Sequence, residues 1–150
     1  MYGIKKVWAT KVTEARDKDV EGLGVLRFEG DKIYKYVKYV DGNAGSAGEC
    51  VAYNDANATQ VVRSAAARGF AGVLLCSVTQ NQYCWIQIYG PANVKAGANI
   101  SAGNVVAHTA TGAVTALDDT YAAADLKQLV GVALEDISNG SAGKVYIKRF

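Results

Sequence analysis

Proline is almost absent from this chain, one in 150 residues, so its turns must be built by Gly, of which there are 16, and by Asn and Asp. Histidine is rarer than any metal site could use: His108 stands alone, which excludes a His-rich metal centre. Cysteine is sparse and badly spaced for chemistry. Cys50, Cys76 and Cys84 form an odd set without a CxxC pair, which argues against a disulfide framework and a zinc site and leaves small buried hydrophobes as the reading. Charge of one sign is lacking too. The net charge is +2, with the positive excess in residues 1–40, too little for a nucleic-acid footprint. No window approaches the ~18 apolar residues of a bilayer span, and Met1-Tyr2-Gly3-Ile4-Lys5-Lys6-Val7-Trp8 has no apolar stretch of the secretory kind. These scarcities point to a soluble protein kept in a reducing compartment, with no membrane and no nucleic-acid partner.

What is present is strand-forming. Half the residues are apolar, enough for a core, and the length suits one domain. Residues 1–23 are polar and mixed in charge, without helical or alternating periodicity, and read as an N-terminal arm. Its apolar end, Ile4, Val7 and Trp8, could dock on a neighbour or tuck into its own domain. Residues 24–150 read as a single β domain. Gly24–Phe28 and Ile33–Val40 form a hairpin around Glu29-Gly30-Asp31-Lys32, the second run being rich in aromatic and β-branched residues. Tyr34, Tyr36 and Lys38 share one face of it, and Ile33, Lys35, Val37 and Tyr39 the other. Interleaved Tyr and Lys suit a stacking platform or a subunit interface, and the low net charge favours the interface.

From about residue 50 the sequence says one thing twice. The runs Cys50–Tyr53, Gln60–Val62, Gly72–Val78 and Tyr83–Ile88 are echoed by Asn104–His108, Ala113–Ala116, Gly131–Ser138 and Lys144–Lys148. Aligning Gly72 with Gly131 and Ile86 with Tyr146 keeps register within one residue. Two copies are too few for a solenoid, so two related units, about 50–90 and 104–150, are expected to pack in one barrel or sandwich. Gly90–Ala98 reads as their linker, its proline suiting a strand end or corner. Ser64–Gly69 is a loop or a short helix, and Asp118–Gln128 has the capping and alanine content for one to three helical turns.

Catalytic signals are missing. His108 has no nucleophile motif near it and reads as a partly exposed strand residue or subunit contact. Asp118-Asp119 and Glu135-Asp136 do not match a calcium loop, and Gly22-Leu23-Gly24 lacks the strand, third glycine and helix of a dinucleotide site. No catalytic, metal-ligating or cofactor-binding residue is assigned, no cofactor is expected, and the chain reads as a non-enzyme.

Gly72–Val78, Tyr83-Cys84-Trp85-Ile86-Gln87-Ile88-Tyr89-Gly90, Ala96–Val106, Gly131-Val132-Ala133-Leu134-Glu135-Asp136 and the hairpin Phe28–Val37 together resemble the capsid decoration, or cement, proteins of tailed bacteriophages. Many of these pair a Trp-Ile-Gln-x-x-Gly strand with a Val-Gly-x-Ala-Leu strand. The resemblance covers most of residues 22–150. It implies an all-β fold, a β-barrel or β-tulip, that is made in the host cytoplasm and clamps the outside of an expanded icosahedral shell. The partners implied are the major capsid protein and sister subunits, as a homotrimer more often than a dimer. On that reading Ile4, Val7, Trp8, Tyr34, Tyr36 and Lys38 are the candidate capsid or subunit contacts. The competing reading is a carbohydrate- or host-binding surface module of a virion, which needs an exposed aromatic cluster around Tyr83, Trp85 and Tyr89.

Overall fold

The computed structural model describes residues 7–63, 68–117 and 123–147, and the fold is all-β. Ten strands are present among the described residues: β1 (Leu26–Glu29), β2 (Lys32–Tyr39), β3 (Cys50–Tyr53), β4 (Gln60–Val62), β5 (Phe70–Leu74), β6 (Tyr83–Lys95), β7 (Val105–His108), β8 (Val114–Ala116), β9 (Leu129–Ala133) and β10 (Ala142–Ile147). A 3-10 helix, Ala123–Gln128, realises the last part of the helical turns expected over 118–128, while 118–122 and most of the Ser64–Gly69 stretch lie outside the described residues.

Five strands close a barrel in the order β2-β4-β3-β5-β6, with β6 returning antiparallel to β2. The alternation in β2 sets its two faces. Val37 and Tyr39 point inward with Val51, Tyr53, Val61, Cys84 and Ile86, while Tyr34 and Tyr36 point outward with Trp85. Closure removes the sheet edges that open strands would leave.

The remaining strands repeat that order. β6 continues into β10, β9, β7 and β8, and a parallel bridge from Ala96 to Val114 brings β8 back to the end of β6. The pairing of Val51 with Gly72 and Ala52 with Phe70 across an irregularity recurs as Val106 with Gly131 and Ala107 with Leu129. Each ring therefore uses a fifth strand that lies outside the four legible in each sequence copy: β2 in the first and the second half of β6 in the next. Residues 90–95, expected as a linker, are strand. Gln87 makes this possible by donating its Nε2 to the carbonyls of Tyr89 (3.1 Å) and Pro91 (2.9 Å), which holds the chain as it passes from one ring to the other. Gly90 sits at φ +95°, where an added Cβ would lie 2.4 Å from the Asp31 carbonyl oxygen. Pro91 is tolerated here because it falls at the corner, opposite Tyr146.

The glycine that opens the third strand of each sequence copy has a steric cause. A Cβ on Gly72 would lie 2.6 Å from the Gln87 carbonyl oxygen, and one on Gly131 1.9 Å from that of Tyr146. Gly131→Ala is accordingly expected to lower stability by roughly 2–3 kcal/mol or more. Gly42→Ala, where no atom lies within 4 Å of the added Cβ, should stay within about 0.5 kcal/mol. Urea-unfolding midpoints of the two variants decide the point, and equal midpoints would refute the close-approach reading.

Candidate functional site

The outward face of β2 and β6 is where the sequence-predicted contact residues gather, and the N-terminal arm is what covers it. Trp8 meets Trp85 edge-on, with ring centroids 5.1 Å apart. The buried Trp85 Nε1 donates to Thr10 Oγ1 at 2.9 Å, so the indole enters the interior with its one donor satisfied. Thr10 is held in turn: Glu21 Oε1 accepts from its backbone N–H (2.8 Å) and hydroxyl (3.2 Å), and Arg27 donates Nη1 to its carbonyl (2.9 Å). The Arg27 guanidinium lies 5.2 Å from the Trp8 ring centre and 5.5 Å from that of Trp85. Farther on, Arg16 and Tyr83 exchange backbone hydrogen bonds of 2.9 and 2.7 Å. The described part of the arm is thus strapped to its own barrel.

This arrangement sorts the six candidates. Ile4 lies outside the described residues. Val7 is 88% exposed, and the half-buried Trp8 faces inward onto Trp85. Tyr36 is fully buried and Tyr34 nearly so, both packed among the aromatics beneath the arm, leaving almost no surface for a partner. Lys38 is half-buried, its ammonium 5.6 Å from the centre of the Tyr83 ring. Alternation correctly separated the two faces of β2. It could not reveal that the arm folds back over one of them, because that contact joins residues 75 positions apart.

Exposed apolar side chains collect elsewhere. Phe28, on β1, is 69% exposed and Leu26 43%. Phe28 is paired with Ile33, which is paired with Tyr89, and the ring of Tyr89 meets that of Tyr146 at 5.7 Å. Sequence reasoning saw the hairpin and missed this row, although the spacing of Leu26 and Phe28 on one face of a short strand was the available signal. The cluster that a carbohydrate-binding module needs is not assembled, since Trp85 is buried and Tyr83 half-buried, with Tyr89 alone of the three exposed. A groove of about 510 Å³ between the arm and the β6 corner is lined by Thr13, Lys32, Tyr34, Gln87, Asn93 and Lys144 among others. No group of three His, Cys, Asp or Glu among the described residues could hold a metal ion.

His108 was expected at or near the surface and is instead buried at the seam between the rings, against Phe70. Nothing in its alternating strand marked the residue as interior, because the surface covering it comes from β4 and β5. Its Nε2 lies 2.8 Å from the Arg63 carbonyl, which can only accept, so in the neutral ring Nε2 carries the proton and Nδ1 is a lone pair with no partner among the described residues. Beside it Glu49 accepts from Ser46 Oγ (2.8 Å) and pairs with Arg63 (3.3 Å) and Lys95 (3.5 Å), tying the loop before β3 to the ends of β4 and β6. Burial raises the thiols of Cys50 and Cys84 well above their ordinary range, which keeps them protonated.

No protein-family model matches the sequence, and no curated protein matches it. Among solved structures, the chain is similar to the N base of the head fiber gp8.5 of bacteriophage phi29, with 18% sequence identity and a TM-score of 0.56, over 77% of this chain and 94% of that one. At that identity the likeness establishes a shared fold.

Two outcomes follow from this geometry. Replacing Thr10 by Val leaves the Trp85 indole N–H buried without an acceptor and should cost about 1–3 kcal/mol, read as a lower urea midpoint with altered tryptophan emission. Burial lowers the His108 pKa from its ordinary 6.5, although the bond to Arg63 opposes the shift. The unfolded chain therefore takes up the proton first. The stability due to a neutral His108 is complete above 6.5 and is lost as pH falls below that value through the folded-state pKa. His108→Gln, which keeps a donor for the Arg63 carbonyl, should flatten the slope of the urea midpoint in the window just below 6.5; an unchanged slope would exclude His108 as its source.

Proposed function

We propose that this chain is a structural protein of a bacteriophage virion that binds the outer surface of the capsid shell and stabilises the expanded form through protein–protein contacts. The observation that carries the reading is the fold shared with a head-fiber base over nearly all of that chain. The likeness of Tyr83–Gly90 and Gly131–Asp136 to segments of capsid decoration proteins supports it independently.

The physical character of the molecule suits the task. Both rings have interiors packed with side chains, so recognition falls to edges, loops and the arm. Modest contacts of that kind hold well when many copies bind one lattice of shell subunits. Of the contacts named for the arm and β2, Val7 and Lys38 retain surface for a shell subunit, and Ile4 leads into Val7. Trp8, Tyr34 and Tyr36 serve the same surface indirectly, by fixing where the arm leaves the barrel.

Co-sedimentation with purified shells tests this. Saturable, stoichiometric binding to expanded shells, weak binding to the unexpanded precursor, and a higher thermal midpoint of the decorated shell are the expected results. Val7→Glu, at an 88% exposed side chain, should weaken binding at least tenfold without moving the protein's own unfolding midpoint, because the Thr10–Trp85 anchor remains. Absence of binding to expanded shells would refute the proposal.

A further inference from the structure

β1 is a strand with one partner among the described residues. It pairs with β2 through Leu26–Lys35, Arg27–Tyr34, Phe28–Ile33 and Glu29–Lys32, and ends the strand order on that side. Tyr36 donates its N–H to the carbonyl of Val25, which fixes the phase of the ladder: Val25, Arg27 and Glu29 turn their backbone groups toward β2. Leu26 and Phe28 therefore turn theirs to the open edge, where they make no further backbone hydrogen bond among the described residues. Within Leu26–Glu29 there is no proline and no bulge, and the Arg27 and Glu29 side chains neutralise each other through a 2.8 Å hydrogen bond, so shortness is what limits this edge. The side chains of Leu26 and Phe28 lie exposed beside that edge.

We infer that β1 pairs with β1 of a second copy of this chain, antiparallel about a two-fold axis through Phe28. The sequence Arg27-Phe28-Glu29 is complementary to itself in that arrangement. With Phe28 opposite Phe28 of the second copy, each Arg27 stands opposite a Glu29, so the four charges alternate in sign around the axis. No other centring does this. An axis through Arg27 sets the two guanidiniums against each other, and an axis between Arg27 and Phe28 sets Arg27 against Phe28. The Phe28-centred register also places the two open-edge Phe28 backbones in a mutually hydrogen-bonded pair, and it brings the exposed Phe28 rings together on the face carrying Leu26. Arg27 keeps its contacts to Thr10 and Trp8 on the opposite face. A four-residue strand makes a small interface, so the dimer is weak in solution, forming at on the order of 100 µM. The contact does not depend on attachment to a shell.

Sedimentation equilibrium across a concentration series is the test, on the whole chain and two variants. Phe28→Pro removes an N–H directed at the open edge and none used in the β1–β2 ladder, so it should abolish dimerisation while leaving the unfolding midpoint nearly unchanged. Glu29→Lys sets a lysine against Arg27 of the second copy and should weaken the dimer at least tenfold; it keeps the question open to measurement if Phe28→Pro does not fold. A bis-maleimide spanner should also join two copies of Phe28→Cys faster than two copies of Gly42→Cys. A chain that stays monomeric to about 1 mM, a trimer, or a dimer that both variants leave intact would overturn the inference.

Discussion

One strand, β6, is hydrogen-bonded into two rings at once, and the bend that lets it do so is the constraint on which the rest of the structure depends. Its first half closes the barrel against β2 and β5, and its second half carries β10. The Gln87 amide, holding two carbonyls on either side of the corner, and the Cβ-free Gly90, pressed against the Asp31 carbonyl, fix that bend from inside the chain. Had β6 ended at Gly90, the second ring would have lost its first strand. Both rings share one backbone, and Cys50 and Val73, on the outer face of β3 and β5, pack into the core of the second ring.

Closing the barrel around β6 leaves its outer face, with the large indole of Trp85, in need of cover. The arm supplies it through Trp8 and Thr10, and Arg27 from β1 locks the arm in place. That cover makes the aromatic face of β2 interior, while Val7 and the Leu26 and Phe28 side chains of β1 stay exposed. The seam around Glu49, Arg63 and His108 does the corresponding work between the rings, with a histidine whose pKa burial lowers against the opposing bond to the Arg63 carbonyl.

The sequence by itself determined the strand content, the two-face character of β2 and the equivalence of Gly72 with Gly131. Each of these is a local matter, set by alternation, by residue type or by a glycine whose neighbour leaves no room for a methyl group. Tertiary structure alone decided that residues 90–95 are a strand, that the arm lies across Trp85, that Tyr36 and His108 are interior, and that Phe28 is left at an open edge. The physical reason is the same in all four. Burial and edge pairing depend on which segment arrives from a distant part of the chain, and a period of two residues tells which side chains share a face without telling what will cover it.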